Sequence, residues 1–165
     1  MEINQNKNIL IVGVGSILKC DDAVGIRVVE SLEKDYGIGR SLEGVNITLH
    51  AGDISGLDLI KIFPGYDKII IIDAAEMSLS PGEIRVFGAG EIVLSDAFST
   101  NSTHGMSLKE TLLLARNLDI PMKNIKLIGI QPRSVDFSLE MSSLITKKIP
   151  EIITKIKILL NEFCI

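Results

Sequence analysis

The chain has no tryptophan, and aromatic residues make up only 4% of its 165 positions. Branched aliphatics must therefore fill any core it builds. It has two cysteines, Cys20 and Cys164, near opposite ends of the sequence. That excludes a disulfide framework and suits a reducing compartment. No basic run is present and the formal net charge is −4, so nucleic acid is not an expected partner. Apolar stretches stay short of the roughly 20 residues needed to span a bilayer, so no membrane association is expected. The start, MEINQNKN, has no basic leader, and Cys164 is misplaced for a prenylation box. The expected location is the cytoplasm.

What is present is apolar residue in quantity, 46% of the chain, which opposes disorder. The length predicts one compact domain over 1–165. Strand and helix patterns alternate along it. Ile9–Val14 reads as a strand buried on both faces, and Asp22–Tyr36 as a helix with apolar positions at helical spacing. Val45–Ala51 is a second strand, Leu57–Phe63 a short helix closed by Pro64, and Lys68–Ala74 (KIIIIDA) the strongest strand. Glu83–Phe87 follows the turn signal Ser80-Pro81-Gly82. Residues 88–105 read as irregular. Ser107 and Glu110 form a capping box before a helix, and Asn124–Ile130 is another buried strand. An apolar stripe over 142–162 contains Pro150, which predicts a kink or restart there. The expected fold is a three-layer α/β/α sandwich with a twisted, mostly parallel sheet of about five strands.

The segment GVGSILKCDDAVG, residues 13–25, follows the first strand where a dinucleotide fingerprint would sit. The third glycine of G-x-G-x-x-G is replaced by Leu18, and the second strand ends Leu49-His50-Ala51-Gly52 without the ribose-binding acid. No G-x-x-x-x-G-K-[ST] phosphate loop occurs. The nucleotide reading fails on these counts.

The adjacent Asp21 and Asp22 admit two readings. The common one is a solvated helix cap. The other is a cation site, since neighbouring carboxylates repel unless a cation or solvent relieves them. Asp73 ends the run Ile69–Ile72 and is expected at the carboxyl end of a buried strand, where α/β proteins place their sites. His104 lies in a polar loop before a helix. Each has an ordinary explanation as a turn or surface residue. Together, Asp22, Asp73 and His104 would offer two oxygens and one nitrogen, a set suited to Ni²⁺, Zn²⁺ or a similar ion.

The stretch GVGSILKCDDAVGIRVVESL resembles the opening G-[IV]-G-N-x-[LM]-x-x-D-[DE]-x-x-G of the hydrogenase maturation endopeptidases, which process the C-terminus of the large subunit of [NiFe] hydrogenases. The likeness continues through IIIIDAAEMSLSPGEIRVF, STHGMSL and IGIQPRSVDF, in order, over nearly the whole chain. IDAAEMSLSPGEIR and LIGIQP are most similar to the branch serving formate-hydrogenlyase-type hydrogenases or their archaeal relatives. The resemblance implies metal-contacting roles for Asp22, Asp73 and His104. Three departures stand out: Ser16 where Asn is usual, Cys20 where Gly or Thr is common, and His50 where an acid is often seen.

The implied activity is removal of a short C-terminal peptide from the nickel-loaded precursor of a large subunit. The nickel is supplied by the substrate, and no organic cofactor is expected. The three residues would complete the coordination of that nickel and also serve catalysis. Either the ion activates water, or a carboxylate acts as general base and the nickel provides recognition only. Cys20 as a nucleophile is a weaker alternative, with no base partner identified. A rival of another class is a non-catalytic checkpoint that binds the nickel-loaded subunit without cutting it. A small-molecule hydrolase fits less well, because no G-x-S-x-G elbow is present.

Overall fold

The computed structural model describes residues 7–36, 44–52, 56–94, 106–122 and 124–164. Five strands form one sheet: β1 (Lys7–Gly13), β2 (Val45–Ala51), β3 (Lys68–Ala74), β4 (Ile84–Gly88) and β5 (Ile125–Ile130), in the order β2-β1-β3-β5-β4. The first four neighbours in that order run parallel, and β4 closes the edge antiparallel to β5. The mostly parallel sheet expected from the sequence is therefore present.

Alternation along each strand separates two cores. Ile9, Ile11, Ile70, Ile72, Ile128 and Ile130 face one side. There they meet Val28 and Leu32 of α1 (Val24–Tyr36), with Ile152 and Ile156 of the C-terminal helix. Leu10, Val12, Ile69, Ile71, Ile125 and Leu127 face the other. Covering them are α2 (Gly56–Ile62), α3 (Ala89–Leu94) and α4 (Leu108–Asn117). This two-sided burial explains why KIIIIDA lacks the polar alternation of a half-exposed strand. The result is three layers, α/β/α.

The remaining helices are α5 (Ser143–Thr146) and α6 (Ile149–Cys164). The stripe over 142–162 is thus two helices, with Pro150 in the first turn of α6, where its missing N–H costs nothing. The α4 capping box is formed in both directions: Ser107 N–H donates to Glu110 Oε2 at 2.7 Å, and Glu110 N–H to Ser107 Oγ at 3.2 Å. Two expectations are corrected. The first helix begins at Val24, after a single 3-10 turn over Cys20–Ala23, and not at Asp22. Residues 88–94 are not irregular, because α3 buries Ala89, Ile92 and Val93 at helical spacing. Gly88 and Gly90 obscured that short pattern. Positions 95–105 lie outside the described residues.

Strand order places the functional end. From β1 the chain crosses to β2 on one side, and from β2 to β3 on the other, so β1 and β3 are neighbours whose connections diverge. The crevice at their carboxyl ends is the sheet's topological switch point, where open α/β sheets bind ligands.

Candidate active site at the switch point

Two glycines bring α1 up to this crevice. A Cβ on Gly25 would lie 2.3 Å from the Ile72 carbonyl oxygen, and one on Gly13 would lie 2.0 Å from the Gly25 oxygen. Only bare backbone fits there. Gly15 has φ +125°, and a Cβ on it would lie 1.9 Å from the Asp22 carbonyl oxygen. The chain therefore leaves β1, folds back over Asp22 and enters α1 in very little space. The Ser16 N–H completes this turn by donating to Asp22 Oδ2 at 2.8 Å. The glycines serve close packing of backbone, not the approach of a phosphate.

Asp22 and Asp73 both reach the crevice, 8% and 7% exposed. Asp73 is the penultimate residue of β3, level with Gly129 of β5. Burial holds its carboxyl well above the usual aspartate range, the charge of Asp22 raises it further, and the Ala74 amide partly offsets both. The two expected carboxylates are thus close enough to feel each other inside the protein. The third expected residue, His104, lies outside the described residues. Among the described residues no group of three or more His, Cys, Asp or Glu could hold a metal ion.

The expectation that one aspartate caps the first helix is not met. Both lie inside the 3-10 turn, whose flanking Lys19 makes no side-chain capping bond. Asp21 instead points away from the crevice and is wholly buried. Its Oδ2 accepts from the Arg133 N–H at 2.9 Å, the Ser134 N–H at 3.2 Å and the Ser142 hydroxyl at 3.0 Å; its Oδ1 accepts from the Ser142 N–H at 2.8 Å. Four hydrogen bonds from the 133–142 segment thus satisfy this buried carboxylate. The adjacent acids therefore meet different partners, Asp21 the 133–142 segment and Asp22 the Ser16 N–H.

Cys20 is buried, with a left-handed φ of 44°, and its thiol lies 3.7 Å from Asp21 Oδ1. Its N–H donates to the Ser138 oxygen at 2.8 Å. Those contacts make it part of the joint between the turn and residues 133–142. His50 is exposed near the end of β2, opposite Val12 of β1.

Sequence reasoning also passed over Gln131, which follows β5 and is 4% exposed. Its Oε1 accepts from the N–H groups of Met77 (2.8 Å) and Leu79 (3.3 Å), while its Nε2 donates to Glu76 Oε2 at 2.9 Å. It fixes the loop that leaves Asp73. A polar residue directly after the apolar run of β5 was the available signal.

Fold and site together define a class: an α/β sandwich with paired buried carboxylates at its switch point and no phosphate cradle. Known proteins narrow it. The family model HycI, hydrogenase maturation protease, matches residues 26–158, a span that begins just after Asp22 and includes Asp73 and His104. The hydrogenase 2 maturation protease of Escherichia coli is 31% identical over 131 residues, covering 78% of this chain and 75% of that protein. The hydrogenase expression/formation protein HupD of Rhizobium leguminosarum bv. viciae is 30% identical over 128 residues; the match covers 78% of this chain but 61% of HupD. Among solved structures, the hydrogenase maturating endopeptidase HybD from E. coli superposes with a TM-score of 0.72 at 23% identity, covering 94% of this chain and 93% of that one. That likeness speaks for the fold. The chain belongs to the hydrogenase maturation protease family.

Proposed function

We propose that the protein is an endopeptidase that removes a short C-terminal peptide from the nickel-loaded precursor of a [NiFe] hydrogenase large subunit. The observation that carries this reading is the pair of buried carboxylates at the switch point, one raising the proton affinity of the other. Such a pair is unfavourable by itself and is relieved by a cation. In this reading the cation is nickel, brought by the substrate and held by it during the reaction.

The two carboxylates take different parts. Asp22, hydrogen-bonded at Oδ2 by the Ser16 N–H, is held toward the ion as a ligand. Asp73, with its raised proton affinity, is suited to take a proton from water and return it to the leaving amine, while also contacting the ion. His104 supplies the nitrogen of the set. Seated on these residues, the nickel aligns the scissile peptide beside Asp73.

The test compares nickel-loaded and nickel-free precursor by intact mass after mixing with the protein. Loss of a C-terminal peptide from the loaded form alone supports the reading. Tight binding to loaded precursor without any mass change would make the protein a checkpoint, not a protease.

A further inference from the structure

On and against the turn that carries Asp22 lies a group of exposed apolar side chains that contribute to neither core. Phe137 is 84% exposed and Leu139 69%, against Leu18 at 53% and Ile17 at 45%. They stand on two chain segments that are tied together. Lys19 and Ser138 form a parallel bridge; the Ser138 N–H donates to the Leu18 oxygen at 3.0 Å and the Cys20 N–H to the Ser138 oxygen. Lys19 Nζ stands 5.4 Å from the centre of the Phe137 ring. The same segment, 133–142, is held from beneath by four hydrogen bonds to Asp21.

Exposed apolar side chains on a loose loop need no explanation. These are on a rigid one. An interior carboxylate with its donors satisfied fixes the backbone that carries Phe137 and Leu139, and so fixes the ridge they make with Ile17 and Leu18. Pre-ordering a contact surface lowers the entropy lost on binding. The ridge is also continuous with the active-site turn. Ser16, which holds Asp22, directly precedes Ile17, while Asp21 joins Asp22 to the 133–142 segment.

We propose that Phe137 and Leu139 are specificity-determining residues that receive the precursor protein itself, and that Asp21 is the positioning residue that holds them beside Asp22. This rests on the proposed function, since it assumes a protein substrate cleaved at the switch point. The occupant is the apolar surface of the precursor next to its C-terminal tail. An ion alone gives few contacts by which one protein can be told from another. A rigid aromatic next to the ion site adds them, with the lysine beside the ring contributing charge at the edge.

The experiment is steady-state cleavage of nickel-loaded precursor by Phe137→Ala, Asp21→Asn and the double variant, with Ile158→Ser, an exposed apolar change on α6, as control. Phe137→Ala should raise KM about ten-fold with a much smaller change in kcat, and leave the melting temperature unchanged. Asp21→Asn turns donors toward the donors it must accept, so it should raise KM similarly. The double variant should be no worse than the poorer single one, because both remove the same contact. Ile158→Ser should leave KM unchanged. Should Asp21→Asn fail to fold, Ser142→Ala, which deletes one donor, takes its place. A wild-type KM in Phe137→Ala overturns the proposal while leaving the protease reading intact. So would a concentration-dependent dimer that Phe137→Ala dissolves, since the ridge would then belong to a second copy. Failure of the wild-type protein to cleave loaded precursor counts against the protease reading first.

Discussion

Asp22, in the 3-10 turn before α1, stands close enough to Asp73, near the end of β3, for its charge to add to burial in raising the proton affinity of Asp73. In the isolated protein this arrangement works against stability. A carboxyl whose folded pKa lies above its unfolded value has its full stabilising effect below the unfolded value, near pH 4, and loses it as pH rises through the folded value. At neutral pH Asp73 is therefore a burden on the fold. Asp73→Asn should raise the melting temperature by roughly 2–6 °C at pH 7 and give no gain below about pH 4. Thermal unfolding across pH checks this. The same variant should not process precursor, so that stability and function separate at one residue.

Gly25→Ala tests the packing that delivers Asp22. The new methyl would sit 2.3 Å from the Ile72 oxygen and 2.5 Å from the Val14 oxygen, both backbone atoms. Neither can rotate away. The change should cost more than about 3 kcal/mol, read as a lower denaturation midpoint. A near-native midpoint would mean that the approach of α1 to the sheet is looser than described.

Cys20→Ala tests whether the thiol takes part in chemistry. Cys20 is buried and its partners are Asp21 and Ser138, so cleavage should proceed within about two-fold of wild type, with a stability loss of about 1–2 kcal/mol from the lost sulfur contacts. Complete loss of cleavage by folded Cys20→Ala protein would return the thiol to consideration as a nucleophile.

Gln131→Met keeps the volume but removes the acceptor shared by the Met77 and Leu79 N–H groups. Leaving these without a partner should cost about 1–3 kcal/mol. Faster amide exchange at Met77 and Leu79 would localise the effect to the loop after β3.

How much of this could be read from the sequence follows from the physics of each element. The strands of β1, β3 and β5 are apolar on both faces because helices cover both, and such runs announce themselves. The restart at Pro150 and the capping box at Ser107 were equally plain, since each rests on the chemistry of one or two residues. Helix α3 was hidden because a six-residue helix gives fewer than two turns of periodicity, with Gly88 before it and Gly90 within it. At the site, Asp73 was legible from its place after an isoleucine run. The partners of Asp21 were not. Asp21 acquires its role from Arg133, Ser134 and Ser142, more than a hundred residues away, and no local pattern records such a contact. Gln131 was hidden for the same reason. His104, in the expected ligand set, lies outside the described residues.

The central claim is that the precursor's nickel meets the side chains of this protein at the switch point. Nickel K-edge X-ray absorption of the loaded precursor, alone and frozen with the protein before cleavage, measures that directly. Nickel should gain oxygen or nitrogen neighbours on mixing with wild-type protein, and fewer with Asp22→Ala or Asp73→Ala. A nickel shell unchanged by the wild-type protein would contradict it.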